Sequence, residues 1–375
     1  MIQTPTRNKT RSFFEKLRNV EDKRDNRGKR HDFSFILCGV CLAIMTGRSK
    51  PSSIYRYLRN RFSWLRRATD FRAKTNISLA QLYRFLEKVS WEEINELIYE
   101  HFQFEVEAKD DEWYAVDGKA LRGSPGQAIV SFRSHESGMI VGQERIEGNK
   151  ESEITAVRDL LEEQNLWGYK ITLDALHLTP KTTAGIHQEG GGYLIQSKEN
   201  QEKLLNLMKI ISETVEPLGW SESIDKGHGR LEERRASFFP IDPSLLDGRW
   251  DQSGLKGFVV MERKTEELKT GKITTETSYY VTNQSLNTIE TQQELFQAIR
   301  RHWGVESDHW IRDVTFKEDH VRSTYSNRGQ ILALLRTLAL YLFRKMKIKN
   351  MQEAIDNFVD SPCTFKLFLC EANFL

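Results

Sequence analysis

Between residues 110 and 197 the hydrophobic pattern changes period in an order that few folds accommodate. Residues 112–121 and 128–133 read as strands, and Glu136-Ser137-Gly138 marks a turn into a third strand over 139–146. The period then shifts to 3.6, with Ile154, Val157, Leu160 and Leu161 on one face of a helix over 153–164. Residues 169–173 read as a short buried strand, 179–188 as a helix and 192–197 as another strand. An antiparallel meander followed by alternating units predicts an α/β fold, a mixed sheet with helices on both faces.

This β-β-β-α-β-α-β order is the order of the ribonuclease-H-like fold. Beyond it, residues 200–218 have an amphipathic helical pattern, and 222–283 are strand-rich, with Thr270-Gly271-Lys272 as a hairpin turn. Residues 291–316 return to helix, and 331–345 are apolar nearly all round, as in a buried helix. The strand-rich stretch sits where a β-rich insertion of about 219–290 would. Upstream the pattern is all-helical: a polar, flexible or loosely helical arm over 1–32, a buried helix over 33–46 ending near Gly47, a basic helix over 51–68, and two more starting near Ser78 and Ser90. The expected organisation is a helical N-terminal domain over 1–108, an α/β domain over 109–350 and a helical tail over 351–375.

Charge is unevenly spread. Residues 1–75 hold 19 Lys and Arg against 6 Asp and Glu, a surplus of 13 that leaves the other 300 residues at −11 within a net charge of +2. A basic segment on an acidic body suits a polyanion-binding module, with a solvated charged surface as the plainer alternative. Arg56 and Arg59 alternate with Tyr55 and Tyr57 in that segment, where a short helix pair matches the loose pattern of a helix-turn-helix. No apolar run reaches the ~20 residues that span a bilayer, and the first eleven residues hold no signal core. A soluble, cytoplasmic, nucleoid-associated protein without a membrane partner is expected. Cys38 and Cys41 form a C-x-x-C within an apolar helix, with no second Cys/His pair at zinc spacing, so all four cysteines read as structural.

Two acids stand where acids are costly. Asp117 interrupts the strand Trp113-Tyr114-Ala115-Val116, and Asp174 ends the apolar strand Ile171-Thr172-Leu173. A carboxylate in such a place needs a metal or a partner. Glu306 is the natural third acid, and helical spacing puts His302, His309 and Asp313 on its face. Three such carboxylates can hold two divalent cations ~3.5–4 Å apart. Magnesium suits all-oxygen ligands, and manganese could substitute. Trp303 and Trp310, beside Glu306, read as core residues or as platforms for an extruded base.

Several ordered motifs carry a resemblance. Asp117-Gly118-Lys119-Ala120-Leu121-Arg122-Gly123 resembles the first-aspartate motif of the H-repeat-associated insertion-sequence DDE transposases, and Thr172-Leu173-Asp174-Ala175 their second. His302-Trp303-Gly304-Val305-Glu306, His309-Trp310 and the stretch from Asp313 to Asp319 resemble their glutamate region. Ser152-Glu153-Ile154-Thr155 and Gly227-His228-Gly229-Arg230-Leu231-Glu232 also match, and the similarity runs from about residue 15 to 345. The resemblance implies a transposase that binds the terminal inverted repeats of its element, cleaves there and joins the 3′-hydroxyl to target DNA. It implies Asp117, Asp174 and Glu306 as catalytic triad and metal ligands, with two Mg²⁺ per site. The 132-residue gap from Asp174 to Glu306 fits a β-rich insertion. The wider superfamily often has an Arg four residues before the Glu and a Lys seven after it; this chain has His302 and Asp313.

Cations that would meet DNA under this reading are Lys119 and Arg122 past the first acid, Lys198 after the fifth strand, Arg300, Arg301 and His309 around Glu306, and Arg56 and Arg59 upstream. His228, Arg230 and Arg234 alternate along a strand and fit either a phosphate-tracking row or ion pairs with the acidic body. Holding two DNA ends implies a homodimer on DNA. A nuclease on the same fold and a decayed relative that only binds DNA are the alternatives.

Overall fold

Two phenylalanines near the start of the chain decide how its basic end is held. Ser12 closes a capping box with Glu15 over α1 (Phe13–Leu17), whose Phe13, Phe14 and Leu17 are buried. The Phe13 and Phe14 amides donate to the carbonyls of Asn373 and Phe374, and the Phe13 ring lies 5.1 Å from that of Phe102. The expected loose arm is therefore anchored from residue 12, because apolar rings, not the surrounding charges, decide its place. The computed structural model describes residues 11–26, 29–102, 111–147, 150–227, 229–323 and 326–375.

All thirteen residues of α2 (Phe33–Met45) are buried. Asp32 caps its start by accepting from the Phe35 amide at 2.8 Å, and Gly47, at φ +77°, takes the left-handed turn that ends it. Cys38 and Cys41 sit inside this helix, where burial pushes both thiols far up; Cys363 and Cys370 are exposed. The expected single helix over 51–68 breaks at Arg61 into α3 (Pro51–Asn60) and α4 (Phe62–Ala68). α5 (Leu79–Lys88) and α6 (Trp91–Phe102) follow, α5 behind a Ser78–Gln81 capping box.

The sheet begins with β1 (Trp113–Ala120), β2 (Gln127–Ser134) and β3 (Ile140–Glu147). Backbone bonds from Leu121 to Gln127 and from His135 to Trp113 set β1 and β2 antiparallel. Then come α7 (Lys150–Glu163), β4 (Lys170–Leu173), α8 (Pro180–Gln188), β5 (Gly192–Ser197) and α9 (Glu202–Thr214). β1, β4 and β5 run parallel to one another. Four long antiparallel strands follow: β6 (Gly219–Gly227), β7 (Arg230–Pro240), β8 (Gly257–Glu267) and β9 (Lys272–Thr282). β9 pairs with β5, so the strand-rich stretch extends the sheet itself, in the order β3-β2-β1-β4-β5-β9-β8-β7-β6. α10 (Ile289–His302) packs on β6, β4 and β5 with Leu295, Phe296 and Ile299 buried among Phe238, Val259 and Leu194. The fold is thus mixed α/β with one large mixed sheet.

α11 (Gly304–Val314), α12 (Ser326–Lys345), α13 (Met351–Asp360) and α14 (Pro362–Glu371) complete the chain. The chain divides into two units: Met1–Glu105 with Ala120–Ile129 and Asp308–Leu375, and Val106–Lys119 with Val130–Ser307. In the first, α12 packs against α2, α5 and α6, as expected of a helix without a polar face. Among the described residues no helix is long and apolar enough to cross a membrane.

Candidate active site

The register of β1 on β4 pairs Val116 with Leu173, so Asp117 and Asp174 each stand one residue beyond the last pair, Asp117 within β1 and Asp174 just past the carboxyl end of β4. Ligands of open α/β sheets gather at such ends. Asp117 accepts from the Gly118 amide at 2.9 Å. Asp174 caps the short 3-10 turn Ala175–His177 by accepting from the Leu176 amide at 3.0 Å. Each local bond aims a carboxylate.

Burial pushes the Asp117 carboxyl from an ordinary 3.8 up to about 7; Asp174 adds to the rise, the Gly118 amide opposes it, and Glu153 and Glu306 add further. Glu306, in the first turn of α11, is raised by burial, against Lys198 and Arg263, which lower it. Asp174 and Glu306 are therefore both within electrostatic reach of Asp117. Glu153, from α7, is a fourth. It lies over Gly118, where a Cβ would come within 2.5 Å of its Oε1. His177 Nε2 stands 3.7 Å from both Glu153 Oε1 and Asp174 Oδ1. Neither Glu153 nor His177 was singled out from sequence; the available signals were the Ser152–Thr155 match and a glycine directly after an acid.

Beneath the acids lies a polar knot. The Thr172 hydroxyl donates to the Tyr114 carbonyl at 3.2 Å and meets His302 Nδ1 at 2.9 Å and His135 Nε2 at 3.1 Å. A hydroxyl that gives its one hydrogen to Tyr114 accepts from both imidazoles. Burial lowers His302 to about 4 and His135 to about 3, with neighbouring cations adding to both, so both rings are neutral near pH 7. This corrects the expected polar stripe. The helix over 291–316 breaks at Trp303; His302 ends α10 and turns inward, while Glu306 opens α11.

The candidate DNA-contacting cations divide. Lys119 is only 5 % exposed, so it offers no surface charge. Arg122 is exposed and lies 3.5 Å from Asp319. Lys198 is exposed and acts on Glu306. Arg234 pairs with Asp225 and Glu232, and Arg300 with Asp225 at 2.7 Å, so these two already hold acids. Arg230 and Arg301 are exposed. His228 lies outside the described residues. Arg56 and Arg59 are exposed on α3. His309 is half-buried on the part of α11 that belongs to the first unit. Trp303 and Trp310 are 44 % and 61 % exposed, so neither is a core residue; the guanidinium of Arg263 lies 5.4 Å from the Trp303 ring. Arg234, Arg263, Arg300, Arg301 and Trp303 line a groove of about 400 Å³ between the long strands and α10.

Asp117 and the acids that act on it, Asp174, Glu153 and Glu306, offer oxygen donors of the kind that suits a hard divalent cation. Among the described residues no three His, Cys, Asp or Glu side chains are drawn together into a ready-made metal cage.

Acids gathered on such a sheet define a candidate site, and comparison with known proteins gives the family that carries it. Residues 96–342 match the Transposase DDE domain family and residues 14–102 the DDE_Tnp_1-associated family. The chain belongs to the DDE transposase family. It is 28 % identical over 353 residues to YncI of Escherichia coli O157:H7, which carries a transposase name, covering 90 % of this chain and 88 % of that protein. It is 25 % identical over 358 residues to YhhI of Escherichia coli K12, which carries an H repeat-associated transposase name, covering 90 % and 92 %. The likeness to H-repeat-associated transposases read from the motifs thus holds over nearly the whole chain.

Proposed function

We propose that this chain binds the terminal inverted repeats of an insertion sequence, cleaves DNA at those ends and transfers the 3′-hydroxyl to target DNA. Asp117, Asp174 and Glu306 are the catalytic carboxylates. The observation that carries this reading is the placement of Asp117 and Asp174 one residue beyond the paired stretch of two parallel strands, with Glu306 acting on the same Asp117 carboxyl. The order of β1–β5 supports a ribonuclease-H-like sheet, extended by β6–β9.

Mg²⁺, or Mn²⁺ in its place, would be held by these carboxylates and would supply charge to the attacking and leaving oxygens of the phosphodiester. Asp117 and Asp174 are aimed by their amide bonds; Glu306 closes the site from α11 beside Lys198. The basic N-terminal helices, with Arg56 and Arg59, hold the DNA end, and two copies act together on a pair of ends.

Asp117→Ala, Asp174→Ala and Glu306→Ala should each lower cleavage of labelled transposon ends by at least ~10³-fold while leaving DNA affinity within about threefold of wild type. Normal cleavage by Glu306→Ala would remove that residue from the triad.

A further inference from the structure

The catalytic reading uses three carboxylates, yet a fourth, Glu153, also acts on Asp117. Glu153 is contributed by α7, on which Arg158, five residues on, donates to Thr179 Oγ1 at 2.8 Å and to Thr182 Oγ1 at 3.2 Å. Those threonines lie at the start of α8, directly after the Asp174 turn. α7 is therefore tied to the segment that carries Asp174, and Glu153 is not a side chain swinging freely from a surface helix. Its own side chain is 22 % exposed.

The position after Asp117 has to be glycine for this arrangement. A Cβ on Gly118 would stand 2.5 Å from Glu153 Oε1 and 2.7 Å from its Cδ. The backbone of β1 thus leaves room for the Glu153 carboxylate over Gly118, the residue next to Asp117. Glu153 is among the acids that raise Asp117, as like charges do.

His177 is the independent sign that something else belongs there. Its side chain is 1 % exposed, and neither Nδ1 nor Nε2 has a hydrogen-bond partner. A buried imidazole without a partner is costly. Nε2 faces Glu153 Oε1 and Asp174 Oδ1 at an equal 3.7 Å, just beyond hydrogen-bonding reach. A small inward movement of either carboxylate would complete the contact.

We propose that Glu153 is a fourth carboxylate of the acidic centre, sharing a divalent cation with Asp117 and Asp174, and that His177 positions Glu153 and Asp174 about it. This rests on the metal-dependent reading above and adds a ligand to it. Glu153 touches the cation; His177 acts through the two carboxylates.

The test is titration of Mn²⁺ alone into the full-length protein, followed by calorimetry or by the electron-spin signal of free Mn²⁺, with melting temperature in EDTA as the folding control. Glu153→Gln keeps the shape and removes the charge. Gly118→Ala leaves every carboxylate in the sequence but drives the Glu153 side chain off its place. Both should weaken Mn²⁺ binding by about tenfold or more, which is ~1.4 kcal/mol, with Asp174→Asn as the positive control. Wild-type Mn²⁺ affinity in both variants, with Asp174→Asn impaired, overturns the role of Glu153 and leaves the three-carboxylate reading standing. A lower melting temperature in EDTA with unchanged Mn²⁺ affinity makes Glu153 a packing residue and likewise overturns the proposal. No Mn²⁺ uptake by the wild-type protein, free or on DNA, overturns the metal-dependent reading and this inference with it.

Discussion

Asp117 carries the most information of any single residue. Its folded-state carboxyl titrates near 7, well above the roughly 3.9 of an unfolded aspartate. Between those values the folded chain keeps a proton that the unfolded chain has released. Metal-free stability therefore falls as pH rises from about 4 to 7, and the loss is complete above 7. Asp117→Asn removes the charge and should raise the melting temperature in EDTA at pH 8 by ~2–4 °C, with the gap closing toward pH 4. Equal melting temperatures at pH 8 would mean that the neighbouring acids do not burden Asp117. Thr172 makes the opposite kind of contribution. Thr172→Val, similar in shape, leaves two imidazole N–H groups without their acceptor and should cost about 1–3 kcal/mol in denaturant unfolding.

At the scale of elements, α11 and the turn after it are fixed by charge inside the fold. Arg312 and Glu318 form an ion pair at 2.9 Å with side chains 1 % and 3 % exposed. Arg336 lies beside them, donating to the Ser49 carbonyl at 2.9 Å. Removing one partner of such a pair strands the other, so Glu318→Leu should destabilise by ~3–5 kcal/mol, read from the shift of the unfolding midpoint. This explains the matched stretch from Asp313 to Asp319 as a folding device within its own unit. Gly123 belongs to the same device: a Cβ there would strike the Val321 carbonyl, and the Ser323 amide donates to Gly123.

The strands and helices of the central sheet were legible because their periods differ and turns separate them. β1, β4 and β5 fall within a residue or so of their expected places. Asp117 and Asp174 were legible because an acid is conspicuous in an apolar strand. The break at Trp303 was not, since Arg301, His302 and Trp303 carry no helix-stopping residue and only Gly304 marks it. Nor was the burial of Lys119, which depends on what packs over a strand end. Glu153 was harder to see: on a helix rich in acids, only the Ser152–Thr155 match and the glycine after Asp117 set it apart.

The whole molecule sets its charge where the first residues lie. The exposed Arg56 and Arg59 belong to the basic segment that opposes an acidic remainder. If both meet phosphates, Arg56→Ala with Arg59→Ala should weaken duplex binding across sequences and reduce the salt slope by about 2. An unchanged slope would move the DNA contact elsewhere. The central claim is that Asp117, Asp174 and Glu306 form one centre that cuts and joins DNA ends. The most direct measurement incubates the purified protein with labelled duplexes of the DNA flanking its reading frame, in Mg²⁺, and resolves nicked and joined products beside Asp174→Ala. The account predicts cleavage at the repeat boundary and strand-transfer products, both lost in the variant. Binding without cleavage, in Mg²⁺ and in Mn²⁺ alike, would contradict it.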